Sequence, residues 1–174
     1  MPVISCRVAE LDLTVTPPQL DTPTNDITAG PALDGDEVLA AVNDGADAIA
    51  DGCDCSIVGD MGIGNTTAAA ALCLGRFGAD VKGWVGPGMG IDDDGIAHKV
   101  AIIEKSVARQ QPFDNHAVAL LAAFGGHELA AIAGAVLAAR ARSIPVMLDG
   151  FSTTTVAGAQ TFTAGGGLTK SAND

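Results

Sequence analysis

Along much of the chain, apolar residues recur every three to four positions, and between these stretches they condense into short runs. Leu39, Val42 and Ala46 share one face of a helix predicted over 33–52, with Asp34 as its N-cap. The run at 55–58 stops abruptly at Gly59-Asp60, the pattern of a short buried strand. A glycine loop, Met61-Gly62-Ile63-Gly64-Asn65-Thr66-Thr67, then enters an Ala-rich helix at 68–74. Residues 81–85 read as another strand, followed by a second glycine loop at 86–90. Ile96, Val100, Ile103 and Val107 form a helical stripe over 93–109. Asp114 is placed to cap a helix ending at Gly125-Gly126. The next helix, over 127–142, carries Glu128 in its first turn and Arg140 and Arg142 in its last, which suits the helix dipole. Residues 144–148 form the final strand. Residues 1–16 show period-two strand character, and 16–31 is a loop rich in Pro, Thr, Asp and Asn. Alternation of strand, loop and helix predicts an α/β layered domain with a mainly parallel sheet. It is expected to occupy 1–160, ahead of a flexible Gly-, Thr- and Ser-rich tail at 161–174.

Composition narrows the function. The 174 residues are 48% hydrophobic and 17% charged, which suits one domain with a real core and excludes a disordered chain. Nine basic against 21 acidic residues leave a net charge of −12, the wrong balance for coating nucleic-acid phosphates. Aromatics are 3%, with Trp84 the single tryptophan, so base-stacking platforms are missing too. Cys6, Cys53, Cys55 and Cys73 follow no zinc spacing, and the expectation is reduced thiols in a cytoplasmic protein. The first ten residues lack the charged-then-apolar pattern of a signal peptide. The apolar stretch 117–139 carries Gly125-Gly126-His127-Glu128 near its centre, so it reads as two buried helices rather than a membrane span.

The strongest chemical candidate is the loop 59–67. A strand ending in glycines and opening a helix leaves backbone N–H groups able to hold a phosphate without side-chain charge. Gly62, Ile63, Gly64, Asn65, Thr66 and Thr67 are therefore phosphate-binding candidates, with Asn65 and Thr66 able to cap the helix or donate to the anion. The same residues also suit a plain tight turn. Lys99 flanks the 93–109 stripe and is either a phosphate counter-charge or a solvated surface lysine. Asp60 and Asp149 end strands, where ligands bind in open α/β sheets, and suit acid–base work, ribose hydroxyls or simple capping. Asp92, Asp93 and Asp94 are better read as helix-capping acids than as a metal site. His98, His116 and His127 share no ligand spacing and are taken as structural or surface residues, and no Ser or Cys sits in a nucleophile elbow. No metal or cofactor is expected.

Together the segments GDMGIGNTTAAAAL (59–72), GPGMGIDDDGIAHKVAIIEKS (86–106), LAAFGGHELAAIAGAVLAA (121–139) and IPVMLDGF (144–151) resemble the nicotinate-nucleotide–dimethylbenzimidazole phosphoribosyltransferase family. A weaker match covers NDITAGPALDGDEVLAAVNDG (25–45). The resemblance implies a three-layer α/β/α Rossmann-like domain, a homodimer or larger assembly, and transfer of phosphoribose from nicotinate mononucleotide to a benzimidazole-type base. It places the phosphate on Gly62 to Thr67 and Lys99, brings Gly88 and Gly90 close to the nucleotide, and makes Asp60 a catalytic candidate. Asp60 stands where the family usually has Glu, and Pro87 where it usually has Arg. The resemblance also implies an N-terminal section lining the base pocket and a C-terminal Gly-Glu-Gly motif bearing the general base, neither matched here. The alternative expectation is a non-catalytic module that binds a nucleotide phosphate or serves assembly.

Overall fold

The computed structural model describes residues 22–61, 64–88, 90–111 and 116–161. Its helices are α1 (Gly35–Asp47), α2 (Asn65–Phe77), α3 (Asp93–Arg109), α4 (Ala117–Phe124), α5 (His127–Ala141) and α6 (Phe151–Thr161). Strands β1 (Ser56–Gly59) and β2 (Val146–Asp149) pair in parallel, Ser56 opposite Val146 and Gly59 opposite Asp149. Parallel pairing requires a crossover, and α2 to α5 supply it. The result is the α/β, Rossmann-like arrangement expected from the sequence. The period-two stretch at 1–16, the cap Asp114 and residues 162–174 lie outside the described residues.

Local chemistry explains the ends. Asp34 caps α1 in a full capping box: its carboxylate accepts from Glu37 N, and Glu37 accepts from Asp34 N, both at 2.8 Å. Asp92 caps α3 by accepting from Gly95 N at 2.9 Å, so the Asp92-Asp93-Asp94 run serves the helix start. The Gly125-Gly126 break divides the apolar stretch into α4 and α5. Among the described residues no helix is long and apolar enough to cross a membrane.

Residues 81–85 do not form the expected strand. Gly78 and Ala79 both adopt positive φ (70° and 73°), which reverses the chain, and Asp80 then caps a single 3₁₀ turn at Val81–Gly83. Trp84 closes the turn: its indole Nε1 donates to Gly78 O at 2.9 Å and its ring lies 6.0 Å from that of Phe77. A second departure is α6, a helix formed by a segment of threonines and small residues. Ser152, Thr153 and Thr155 are buried, and the Thr153 and Thr154 hydroxyls return to the Gly150 carbonyl at 2.9 and 2.8 Å.

The core is aliphatic. Leu33, Val38, Leu72, Ile103, Leu120, Phe124, Leu129 and Val156 pack into one cluster, while Ile49, Ala135 and Ala139 form a smaller one nearer β2. Helices α1 and α5 lie in the closest contact of the fold: a Cβ built on Gly45 would fall 1.8 Å from Ala131 O, and one on Gly134 would fall 1.8 Å from Val42 O. Gln110 fastens the segment before α1 to α4 by donating to Gly30 O at 3.2 Å and Ala123 O at 2.9 Å. The first residue of α2, Asn65, bonds to Asp60 just past β1, which sets the N-terminus of α2 at the carboxyl end of the paired strands, where Gly59 stands opposite Asp149.

Candidate functional site

Helix α2 starts without a side-chain cap. Its N-cap is Gly64, held at φ 95°, a conformation that L side chains avoid, and Thr67 N donates to Gly64 O at 2.9 Å. The helix thus begins at Asn65, and neither Asn65 nor Thr66 caps it, contrary to one of their two expected roles. Both side chains are drawn elsewhere. Gly62 and Ile63 lie outside the described residues; Thr67 sits half-buried in the first turn of α2.

Thr66 is the hub of one side of the site. Lys99 Nζ donates to Thr66 Oγ1 at 2.7 Å, across 33 residues of sequence. Lys99 is only 8% exposed and shares the inner face of α3 with Ile103, Ser106 and Val107. It is therefore no solvated surface lysine and does not merely flank the stripe. Burial pushes its pKa down from the ordinary lysine value. Gly88 approaches from the second glycine loop, where a Cβ would stand 3.6 Å from Thr66 Oγ1, and Gly90 closes that loop by donating to Pro87 O at 2.9 Å. Thr66, Trp84, Val85, Gly86, Gly88 and Phe151 line an open cleft of about 310 Å³. Lys99 meets this cleft through Thr66. Nothing in the sequence pattern marks Trp84 and Phe151 as lining residues, and the structure adds them to the site.

Asn65 organises the other side. Its Nδ2 donates to Asp60 Oδ1 at 2.7 Å and also to Glu128 Oε1 from the first turn of α5. The side-chain amide is thus committed to two carboxylates and is not free for a phosphate. From sequence, Glu128 is expected only to complement the α5 dipole. With His127 it forms the one ionisable pair in the apolar stretch 117–139, which is the sequence signal for a role beyond the helix. Burial holds its pKa above the ordinary glutamate value, reinforced by the charge and hydrogen bonding of Asp60; the Asn65 bond and His127 oppose this. Because the folded chain then binds the proton more tightly than the unfolded one, this group's contribution to stability falls as pH rises from 4.5 through the raised value. His127 Nε2 is buried without a hydrogen-bond partner among the described residues. Asp149 is exposed at the end of β2, and a Cβ on its register partner Gly59 would lie 4.0 Å from Asp149 Oδ2. Asp60, Asp149 and Glu128 thus gather near the carboxyl edge of the sheet, while Thr66, Gly88 and Lys99 meet beside them at the first turn of α2.

The chain matches a known group of proteins. A phosphoribosyltransferase family model matches residues 1–164. The chain is 50% identical over 149 residues to the nicotinate-nucleotide–dimethylbenzimidazole phosphoribosyltransferase of Rhodobacter capsulatus, covering 86% of this chain and 44% of that protein. It is 48% identical over 143 residues to the enzyme of the same name from Novosphingobium aromaticivorans, covering 82% and 42%. The crystal structure of CobT from Thermus thermophilus superposes with a TM-score of 0.73 at 37% identity, over 79% of this chain and 42% of that one. The chain therefore spans less than half the length of these relatives, and within that span it belongs to the nicotinate-nucleotide–dimethylbenzimidazole phosphoribosyltransferase family.

Proposed function

We propose that this chain carries the nucleotide-binding half of a phosphoribosyl transfer site, which takes phosphoribose from nicotinate mononucleotide to a benzimidazole-type base. The observation that carries this reading is the buried Lys99 ammonium on Thr66, at the uncapped start of α2. Helix N–H groups and one sheltered cation suit the 5′-phosphate, and in a chain of net charge −12 such a site has to be built locally. Gly62, Ile63, Gly64, Thr66, Thr67, Gly88 and Gly90 supply the backbone and hydroxyl contacts. Asn65 contributes its main-chain N–H, and Asp60 and Asp149 take the ribose hydroxyls.

In the transfer, a ring nitrogen of the base attacks the anomeric carbon and the bond to nicotinate breaks. Positive charge develops on the sugar, and the proton released by the base passes to a carboxylate. Asp60 is the catalytic candidate in this chain. Phosphate anchoring holds the anomeric carbon in place while the leaving group departs. A homodimer or larger assembly accords with exposed apolar side chains such as Ile57 and Met147, 71% and 60% accessible.

The test is titration of the chain with nicotinate mononucleotide, inorganic phosphate and nicotinate, followed by calorimetry and by Trp84 fluorescence from the cleft wall. The nucleotide is expected to bind and nicotinate alone to give no signal, with affinity falling about 100-fold in Lys99→Ala. A folded chain that binds none of the three overturns the proposal. Binding without turnover when the base is added favours the second reading, a phosphate-binding module.

A further inference from the structure

Asn65 spends its amide on two carboxylates that come from opposite ends of the crossover, Asp60 just after β1 and Glu128 in the first turn of α5. An NH₂ group has two hydrogens, so a single amide can serve both acceptors at once and latch the two carboxylates together. This fixes the Asn65 rotamer and, with it, the orientation of Asp60. Asp60 is half-buried on a short side chain after the strand, and among the described residues this amide and the neighbouring Glu128 are the groups that hold it. We infer that Glu128 is a positioning residue: acting through Asn65, it sets the Asp60 carboxylate on the ribose side of the site. The inference deepens the proposed function and rests on it for the ribose assignment, while the latch itself is a property of the free protein.

The groups acting on the latch are few. Asp60 faces Glu128 from the end of β1, His127 adjoins it on α5, and Asn65 reaches it from α2. Asp149 lies beside Gly59 on the neighbouring strand. Lys99, on the phosphate side, is bonded to Thr66. Loss of Glu128 is thus expected to disturb the ribose end and to leave the phosphate end alone.

Two measurements test this. In the ligand-free chain, the Asn65 side-chain amide is read by NMR as a function of pH. Its resonances are expected downfield and moving as Glu128 titrates, and to revert to ordinary positions in Glu128→Ala; an amide identical in wild type and Glu128→Ala overturns the latch. In the second arm, Glu128→Ala is expected to weaken nicotinate mononucleotide about tenfold while inorganic phosphate binds as before. Glu128→Gln, which keeps an oxygen acceptor of the same reach, is expected to restore the nucleotide affinity. Equal losses for nucleotide and phosphate, or no rescue by glutamine, overturn the positioning role. If the wild-type chain binds neither ligand, the proposed function fails, and the amide signal still decides the latch.

Discussion

Replacing Gly134 by alanine is expected to destabilise the fold by about 3 kcal/mol, because the added methyl would occupy space already held by the backbone of α1. The Cβ position lies 1.8 Å from Val42 O, and main-chain atoms, unlike the end of a flexible side chain, yield only if a whole helix moves. Gly45→Ala should act alike from the opposite helix, where Ala131 O stands 1.8 Å away. Helix propensity pulls the other way, since alanine is favoured over glycine by about 1 kcal/mol, and the steric effect outweighs it. Gly158→Ala in α6 provides the contrast: its Cβ meets no atom within 4 Å among the described residues, so propensity acts alone and stability should rise by about 0.5–1 kcal/mol. Thermal unfolding reads all three, with a fall of about 6–12 °C expected for Gly134→Ala. An unchanged melting temperature would mean that α1 and α5 are not in close register.

Lys99→Met is expected to separate binding from stability. Methionine fills similar space without a charge, so nicotinate mononucleotide affinity should drop about 100-fold while the melting temperature rises, by about 2–4 °C for each kcal/mol recovered. The sign follows from burial. Lys99 has its pKa lowered in the folded chain, so between that value and 10.5 the unfolded chain binds the proton more tightly, and stability grows as pH climbs through this window. Below the window the full cost of burying the ammonium is present. Methionine removes that cost, so the stability gain in the variant should be largest below the window and shrink as pH climbs through it. Nucleotide affinity in the wild type should decline over the same alkaline range as the ammonium is lost. A Lys99→Met chain that melts below the wild type would show that the Thr66 bond more than offsets the burial.

Much of the fold was legible because its signals are local. The stripe ending at Ile103 and Val107, the Gly125-Gly126 break and the run before Gly59-Asp60 each depend on neighbouring residues, and α3, α4, α5 and β1 follow them. Helix α6 was not legible, because its buried face includes Ser152, Thr153 and Thr155, and their hydroxyl chemistry does not register as hydrophobic periodicity. The strand expected at 81–85 failed for the converse reason: a β-like composition was overruled by the reversal at Gly78 and Ala79. At the candidate site, the places of Asp60 and Asp149 at the strand ends could be read directly. What could not be read were pairings across long separations. Lys99 finds Thr66 over 33 residues and Glu128 finds Asn65 over 63, and only the packing of α3 on α2 and of α5 on the strands brings them together.

The sheltered Lys99 ammonium in a strongly acidic chain also has a kinetic consequence. On the proposed function, a doubly charged phosphate ester would approach against the long-range field of the whole molecule and meet its favourable partner only at the end of the path. Added salt shortens the reach of that repulsion to about 8 Å at physiological ionic strength but penetrates poorly to a group as enclosed as Lys99. Ligand capture should therefore quicken as salt is added while escape stays nearly constant, the reverse of the behaviour of an enzyme that draws anions in with an open basic surface.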